Sequence, residues 1–418
     1  MVSRTILDNG ICILSETIGH VRSVSVGLWI RGGSAREDTR SNGMTHFVEH
    51  MLFKGTTNRS AFDIASAIDS VGGIMNAFSA KEMSAFHIKI PDYQLTLAVD
   101  LLADIFRHSL FEETEIAKEK TVILQEIHML EDTPDDYIHD FFEARFWGDH
   151  PLGLPILGTM DRIQQLTKSE LLRFFKDRYG AENLVITASG HLEHQPLVDM
   201  IRESFDPVSR GITGSPISPP DVSSNIAVVE KDLEQVHFIV GTLGPSAMNT
   251  KRYAGFVLNT VLGGSMSSRL FQEIREARGL AYAVQSFLLP YSNTGILGVY
   301  AATAPADVRE TLGVIFDAIG KIVQERVSDK ELESAKELIK GNFLLAMEST
   351  DSCMSRLARN EIYFQRDLPV EEILAAVDAV TANDIKDLAG EIFNPSTITV
   401  AAMGPISEKD LALDILTR

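Results

Sequence analysis

An internal repeat divides this chain into two similar halves. Near the end of the first half, residues 166–171 (LTKSEL) precede a helical pattern and a strand-like segment at 183–190 (NLVITASG). The second half has VTANDI at 380–385, another helical pattern, and TITVAAMG at 397–404. Each copy has a Thr followed three residues later by an acid, the pattern of a capping box, and a β-branched strand that ends in Gly. Duplication of one unit of roughly 200 residues explains the repeat.

A stretch rich in Pro, Gly and Ser separates the two copies. Residues 206–225 read DPVSRGITGSPISPPDVSSN, a composition that holds neither a helix nor an inner strand. We therefore predict a first domain at 1–208, a linker at 209–224 and a second, homologous domain at 225–418.

The order of strand and helix patterns favours an α+β fold in each half. Strand-like runs at 23–30 and 236–242 alternate with long helical segments, whereas the later helices follow one another directly. Adjacent strands also lie close in sequence, as at 86–90. This order favours a mixed or antiparallel sheet with helices packed mainly on one face over a regular doubly wound array.

Composition and charge exclude several classes of function. The 418 residues carry a formal charge of −20 without a basic run, which argues against nucleic-acid binding and suits cationic or neutral peptides. No uncharged apolar run of about 18 residues predicts a membrane span. The N-terminal residues lack the pattern of a signal or transit peptide, so we expect a cytoplasmic location. With only Cys12 and Cys353, any metal site must use His and carboxylate ligands.

The segment His46-Phe47-Val48-Glu49-His50 carries the strongest chemical signal. At about 100° per residue, His46 and His50 lie about 40° apart on one face of a helix, with Glu49 beside them. Ser41 or Asn42 is expected to cap this helix, and Gly55 to end it. Two His at i and i+4 can bind one Zn²⁺, and the H-x-x-E-H order is the mirror of the zincin motif. The opposite arc is apolar and is expected to face the core; it holds Met44, Phe47, Val48, Met51 and Leu52.

A catalytic zinc site needs a third protein ligand, and a helical pattern at 111–130 offers two candidates. Glu119 and Glu126 are seven residues apart, so they lie almost on one face of that helix and either can reach the metal. Glu119 pairs with Glu337 in the second copy, whereas Glu126 has no acidic counterpart there. Residues 256–260 (FVLNT), opposite the two histidines, offer no metal ligand. The second copy therefore lacks the proposed site.

The H-x-x-E-H motif, a Glu 76 residues beyond it (126 − 50) and the duplicated halves resemble the pitrilysin family of metallopeptidases, which includes insulin-degrading enzyme and the mitochondrial processing peptidase. The resemblance covers essentially the whole chain and is strongest to the short bacterial members and to the β-subunit of the processing peptidase. It implies that His46, His50 and Glu126 bind one zinc ion per chain. It further implies that Glu49 is the general base and that Glu119 supports a ligand. The chain is thus expected to be a zinc metalloendopeptidase.

The resemblance also implies where a peptide substrate binds. Residues 72–79 (GGIMNAFS) read as a turn entering a strand and are similar to the family's edge strand, which holds substrate as an added strand with Asn76 and Ala77 at its centre. Arg275 and Tyr282, seven residues apart (282 − 275), match an Arg and a Tyr of the family that contact substrate near the scissile bond. An Arg can bind a peptide carbonyl, and a Tyr hydroxyl can donate to the oxyanion.

In the family, four homologous domains enclose a chamber, and this chain supplies two. The resemblance therefore implies a homodimer that cleaves unfolded peptides or presequence-like segments, in which Arg275 and Tyr282 complete the partner's active site. Two alternatives stay open: the catalytic subunit of an obligate heterodimer with a non-catalytic homologue, and a non-enzymatic core-type scaffold subunit. A third class, an unrelated zinc-binding protein, would not need Glu49 within reach of the metal.

Overall fold

The computed structural model describes residues 2–212, 214 and 217–411. Met1, three residues of the predicted linker (Thr213, Ser215 and Pro216) and residues 412–418 of the predicted second domain lie outside the described residues. The chain forms two compact units. The first comprises Met1–His128, Leu154–Ile217 and Leu344–Asp367, and the second comprises Met129–Gly153, Ser218–Phe343 and Leu368–Arg418. Each unit thus takes one segment from the opposite half of the sequence. The predicted division at 209–224 stays a prediction and did not anticipate this exchange.

The strands, in chain order, are β1 (Val2–Ile6), β2 (Cys12–Thr17), β3 (Ser23–Arg31), β4 (Ile74–Ser79), β5 (Met83–Pro91), β6 (Leu184–Gly190), β7 (Asn225–Glu230), β8 (Val236–Leu243), β9 (Ala281–Pro290), β10 (Gly295–Thr303) and β11 (Thr399–Gly404).

The α-helices are α1 (Met44–Leu52), α2 (Ala61–Asp69), α3 (Leu95–His108), α4 (Glu113–Glu131), α5 (Pro134–Trp147), α6 (Met160–Gln165), α7 (Lys168–Arg178), α8 (His194–Phe205), α9 (Arg252–Leu262), α10 (Val308–Gln324), α11 (Asp329–Ala346), α12 (Thr350–Phe364), α13 (Val370–Asp378) and α14 (Ala382–Ile392). A π-helix spans Phe271–Ala277. Within the described part of the chain, no helix combines the length and the apolar character that crossing a membrane requires.

The two sheets repeat one strand order. The first is β1-β2-β6-β3-β5-β4 and the second is β7-β11-β8-β10-β9. In each sheet one pair is parallel, β2 with β6 and β7 with β11. The other pairs of neighbouring strands are antiparallel. Because five strands recur in the same order and direction, the predicted α+β fold with two homologous units is confirmed.

The two repeated segments that revealed the duplication also have the predicted local structure. Thr167 and Glu170 form a capping box at the start of α7, and Thr381 and Asp384 form one at the start of α14. In each case the Thr hydroxyl accepts a hydrogen bond from the backbone N–H three residues on, while the acid accepts one from the Thr backbone N–H. The capping pattern predicted from sequence is therefore confirmed in both halves.

Both faces of the first sheet are covered, and strand alternation sorts the side chains between them. One face of β3 gives Val24, Val26, Leu28 and Ile30 to the main core, which α1 and α3 help to build. On the opposite face, Trp29 packs with Met354 and Leu357 of α12.

A glycine in each sheet makes room for the helix that comes from the other half of the sequence. A Cβ on Gly27 would lie 3.0 Å from Met354 Sδ of α12, and a Cβ on Gly241 would lie 2.4 Å from Phe142 Cζ of α5. A Cβ at either position would force these side chains to shift, and at Gly27 it would also lie 2.7 Å from Trp29 Nε1. Matching glycines in the two units thus allow α12 and α5 to approach their sheets closely.

Candidate metal centre

Helix α1 has the two faces that its sequence predicts. Its apolar side chains are buried in the main core: Met44, Phe47, Val48, Met51 and Leu52. The imidazoles of His46 and His50 lie on the other face and keep part of their surface accessible, 12% and 17% respectively. The helix thus packs one stripe into the core and presents two imidazoles on the other.

The predicted start of α1 at Ser41 or Asn42 is wrong. The N-cap residue is Gly43, whose φ of 83° is left-handed and which has no side chain to accept a hydrogen bond. Glu37 takes over this function, since its carboxylate accepts hydrogen bonds from the backbone N–H of Gly43 at 2.9 Å and of Thr45 at 2.6 Å. The helix ends at Leu52, three residues before Gly55.

Three potential ligand atoms converge above α1. The Nε2 atoms of His46 and His50 are 3.3 Å apart. Glu126 Oε2, from α4, lies 3.7 Å from His46 Nε2 and 3.6 Å from His50 Nε2. Among the described residues, these three form the only group of three or more His, Cys, Asp or Glu side chains positioned to hold one metal ion.

The spacing of these atoms fits a zinc ion. Ligand atoms at about 2.0–2.1 Å from a tetrahedral metal are separated by about 3.3–3.4 Å, close to the three distances observed. The buried Glu126 Oε2 atom has no hydrogen-bond partner among the described residues. A buried carboxylate oxygen without a donor is expensive unless a cation satisfies it. The donor set and its geometry therefore suit Zn²⁺.

The electrostatics of the site favour metal binding over protonation. Burial, together with the neighbouring His50 imidazole, lowers the pKa of His46 to about 3. His46 is therefore a neutral imidazole at neutral pH, the form that binds a metal. Burial also raises the pKa of Glu49, an effect that the Ser79 hydroxyl and His50 partly offset. A raised pKa brings a carboxyl group closer to the range in which it exchanges protons near neutrality.

Glu119 lies behind the proposed ligands and contacts His50. Its Oε2 atom is 2.9 Å from His50 Nδ1, and its Oε1 atom is 2.7 Å from the ammonium of Lys54. With Glu119 only 3% exposed, the carboxylate is held between these two donors. Donation from His50 Nδ1–H leaves the Nε2 lone pair directed at the site. The geometry thus distinguishes two acids that the sequence left equivalent: Glu126 faces both Nε2 atoms, and Glu119 faces Nδ1.

Replacing Glu119 by Gln is expected to weaken zinc binding about 10–100-fold, because His50 loses the charged acceptor that fixes its ring. Zinc affinity would be measured by competition with a chromogenic chelator. Glu337→Gln is the matched control, since Glu337 occupies the corresponding place on α11 but is 61% exposed and paired with Lys340. Equal zinc affinity in wild type and Glu119→Gln would contradict a supporting role for Glu119.

The residues predicted to bind substrate lie in both units. Asn76 and Ala77 are at the middle of β4, which is an edge strand of the first sheet, as predicted. Arg275 and Tyr282 lie in the second unit, where the guanidinium of Arg275 stacks over the Tyr282 ring at 4.4 Å. Tyr282 is 78% exposed. Their roles in binding substrate stay predictions.

Two residues that support the surroundings of the site were missed from the sequence. Lys54 lies two residues past the end of α1, and its spacing of four residues from His50 was the signal that could have placed it near the same face. Glu37 gave no comparable signal, because the loop between it and α1 has no regular period.

Comparison with known proteins places this architecture in a family. A family profile described as insulinase (peptidase family M16) matches residues 12–160, and one described as the peptidase M16 inactive domain matches residues 165–339. A protein of Streptomyces coelicolor named an uncharacterized zinc protease is 37% identical, over 98% of this chain and 90% of its own length. One of the same description from Bacillus subtilis is 37% identical, over 94% of this chain and 96% of its own length.

Solved structures show the same fold. A protease from Helicobacter pylori aligns with a TM-score of 0.89 at 21% identity, covering 97% of this chain and 99% of that protein. A structure from Pseudomonas fluorescens described as a peptidase M16 inactive domain aligns with a TM-score of 0.91 at 21% identity, covering 97% and 98%. The resemblance read from the H-x-x-E-H motif and the duplicated halves is therefore confirmed. This chain belongs to the insulinase family of peptidases, family M16.

Proposed function

We propose that this chain is a zinc-dependent endopeptidase. The observation that carries the proposal is the convergence of His46, His50 and Glu126, whose ligand atoms all lie within 4.8 Å of one another. Glu49 lies on the same helix as the two histidines, directly before His50. The pKa of Glu49 is influenced by both His50 and Glu126, which supports a position beside the reacting atoms. Relatives named zinc proteases support the same reaction class.

The chemistry assigns each residue a role. His46, His50 and Glu126 would hold a zinc ion, which would supply Lewis-acid activation of the scissile carbonyl and of a water molecule. Glu49 accepts the proton of the attacking water and returns it to the leaving amine. Glu119 holds the His50 ring in the orientation that directs Nε2 into the site.

The substrate is expected to bind as an added strand on β4. Among the strands of the described residues, β4 pairs with β5 alone, so one of its edges is available for main-chain hydrogen bonds to a peptide. Asn76 and Ala77 lie at the centre of that edge. Main-chain pairing tolerates many side chains, which favours unfolded peptides or presequence-like segments over one fixed sequence. The net charge of −20 also suits cationic segments.

The family resemblance supports a chamber formed by two subunits, in which Arg275 and Tyr282 serve the active site of the partner. A homodimer and a heterodimer with a non-catalytic homologue make different predictions. The purified chain should elute as a dimer and cleave peptides in the first case, and should be poorly active alone in the second. Gel filtration combined with activity measurements on the same fractions separates them.

A non-enzymatic scaffold subunit is the candidate from another class. It would not need a complete set of ligands, a neutral His46 or a general base next to His50. The intact constellation on α1 and α4 therefore favours the enzyme.

The proposed activity is tested by incubating the purified chain with a mixed pool of unstructured peptides and mapping the cuts by mass spectrometry. Cleavage should disappear after treatment with a chelator and return when zinc is added back. A folded protein offered as substrate should stay intact. Cleavage that persists in the chelated protein would contradict a zinc-dependent endopeptidase, and no cleavage with stoichiometric zinc bound would contradict an enzyme that is active as a homodimer.

A further inference from the structure

The start of α1 is held by a carboxylate from outside the helix. Glu37 Oε1 accepts a hydrogen bond from Thr45 N–H at 2.6 Å, and Oε2 accepts one from Gly43 N–H at 2.9 Å. The amide of Asn42 lies 3.4 Å from Oε2. Glu37 is only 2% exposed, so water does not compete for these contacts. Two of the unpaired N–H groups at the helix start are therefore satisfied by one buried acid.

These hydrogen bonds act within one turn of a proposed metal ligand. Gly43 is the N-cap and Thr45 is the second helical residue, so the next residue is His46. A shift of this first turn moves the His46 imidazole relative to His50, which lies one turn further along. Metal sites tolerate only about 0.2 Å of error in ligand distance. The position of the first turn thus matters more here than in an ordinary helix.

The segment before the corresponding helix in the second half contains no such acid. Residues 244–251 (GPSAMNTK), between β8 and α9, have no Asp or Glu, and the side chain of Asn249 accepts a hydrogen bond from Lys251 N–H at 2.8 Å. Glu37 therefore has no acidic counterpart in this segment of the second half. Burial raises the pKa of Glu37 to about 7, which reflects the unfavourable free energy of holding its charge away from water. This unfavourable group occurs in the half that carries the proposed ligands.

We propose that Glu37 is a positioning residue of the metal centre, which fixes the first turn of α1 and through it the geometry of His46 relative to His50 and Glu126. The inference rests on the proposed zinc site and extends it to a residue that touches neither metal nor substrate. Glu37 acts by hydrogen bonds to the backbone. Substituting it should therefore shift His46 relative to the other two proposed ligands without removing any of the three side chains.

The test compares Glu37→Gln with Asp384→Asn in the full-length chain. Gln keeps the size of the side chain but can accept fewer hydrogen bonds from the two N–H groups, since its amide nitrogen is a donor. Asp384 is the matched control because it also accepts hydrogen bonds at a helix start, from Thr381 N–H at 2.8 Å, but in the second half of the chain. Zinc affinity is measured by chelator competition, and folding by circular dichroism and thermal unfolding.

We expect Glu37→Gln to fold and to bind zinc about tenfold more weakly, the effect seen when outer partners of metal ligands are removed. Asp384→Asn should lower the unfolding temperature but keep zinc affinity within about twofold of wild type. If Glu37→Gln does not fold, Glu37→Asp, which retains the charge but shortens the reach, should show the same loss.

A folded Glu37 variant with wild-type zinc affinity overturns this inference while leaving the proposed function intact. An equal loss of affinity in Asp384→Asn also overturns it, since the effect would then come from general destabilisation. If wild type itself binds no zinc, both the proposed function and this inference fail. Zinc binding by the wild type therefore distinguishes failure of this inference from failure of the proposed function.

Discussion

Replacing Glu49 by Gln is expected to lower kcat/KM for peptide hydrolysis by about 10²–10⁴-fold, the usual contribution of a general acid–base group. The amide cannot take the proton of the attacking water or return it to the leaving amine. Gln has nearly the same shape, so α1 and the His50 ring beside it should stay in place. Zinc content should therefore remain at about one ion per chain.

The comparison needs both cleavage rates and metal content on the same preparations. Glu115→Gln is a suitable control, because Glu115 lies on α4 and forms an ion pair with Lys118 at the surface. That variant should cleave peptides at the wild-type rate. Undiminished cleavage by Glu49→Gln would remove the general base from the account, and loss of zinc from Glu49→Gln would show that the change acts on the metal centre instead.

Replacing Glu126 by Gln is expected to weaken zinc binding by more than the loss of about 10–100-fold predicted for Glu119→Gln. Glu126 supplies an anionic oxygen that lies 3.6 Å from His50 Nε2 and 3.7 Å from His46 Nε2. A neutral amide in that place neither balances the charge of the cation nor binds it as strongly. The variant should lose zinc on dialysis and should lose cleavage with it.

High zinc concentration separates the two effects. Cleavage by Glu126→Gln should recover in part when zinc is added in excess, whereas cleavage by Glu49→Gln should not. The Glu115→Gln control should again resemble wild type. Wild-type zinc affinity in Glu126→Gln would rule out Glu126 as a ligand and would require a different third donor.

Features with a short period were predictable from the sequence. The two faces of α1 follow from helical spacing, and the burial of Phe47 and Val48 agrees with it. The capping boxes at Thr167 and Thr381 were visible because Thr and acid stand three residues apart. The edge position of β4, by contrast, was predicted from the family resemblance and not from a short period.

Features that depend on distant parts of the chain were not predictable. Glu37 caps α1 across a loop, so the local pattern pointed to Ser41 and Asn42 instead. The exchange of α5 and α12 joins segments far apart in sequence, and the sequence of neither helix indicates which sheet it covers. Glu119 and Glu126 share a helical face, and only the ring nitrogens they approach distinguish the proposed supporting acid from the proposed ligand.

The central claim is that three side chains from two helices hold one zinc ion. Anomalous diffraction data collected on either side of the zinc absorption edge, from crystals of the zinc-loaded protein, test it most directly. We expect one strong peak per chain, about 2.0–2.2 Å from His46 Nε2, His50 Nε2 and a Glu126 oxygen. No peak between these atoms, or a peak bound by other side chains, would contradict it.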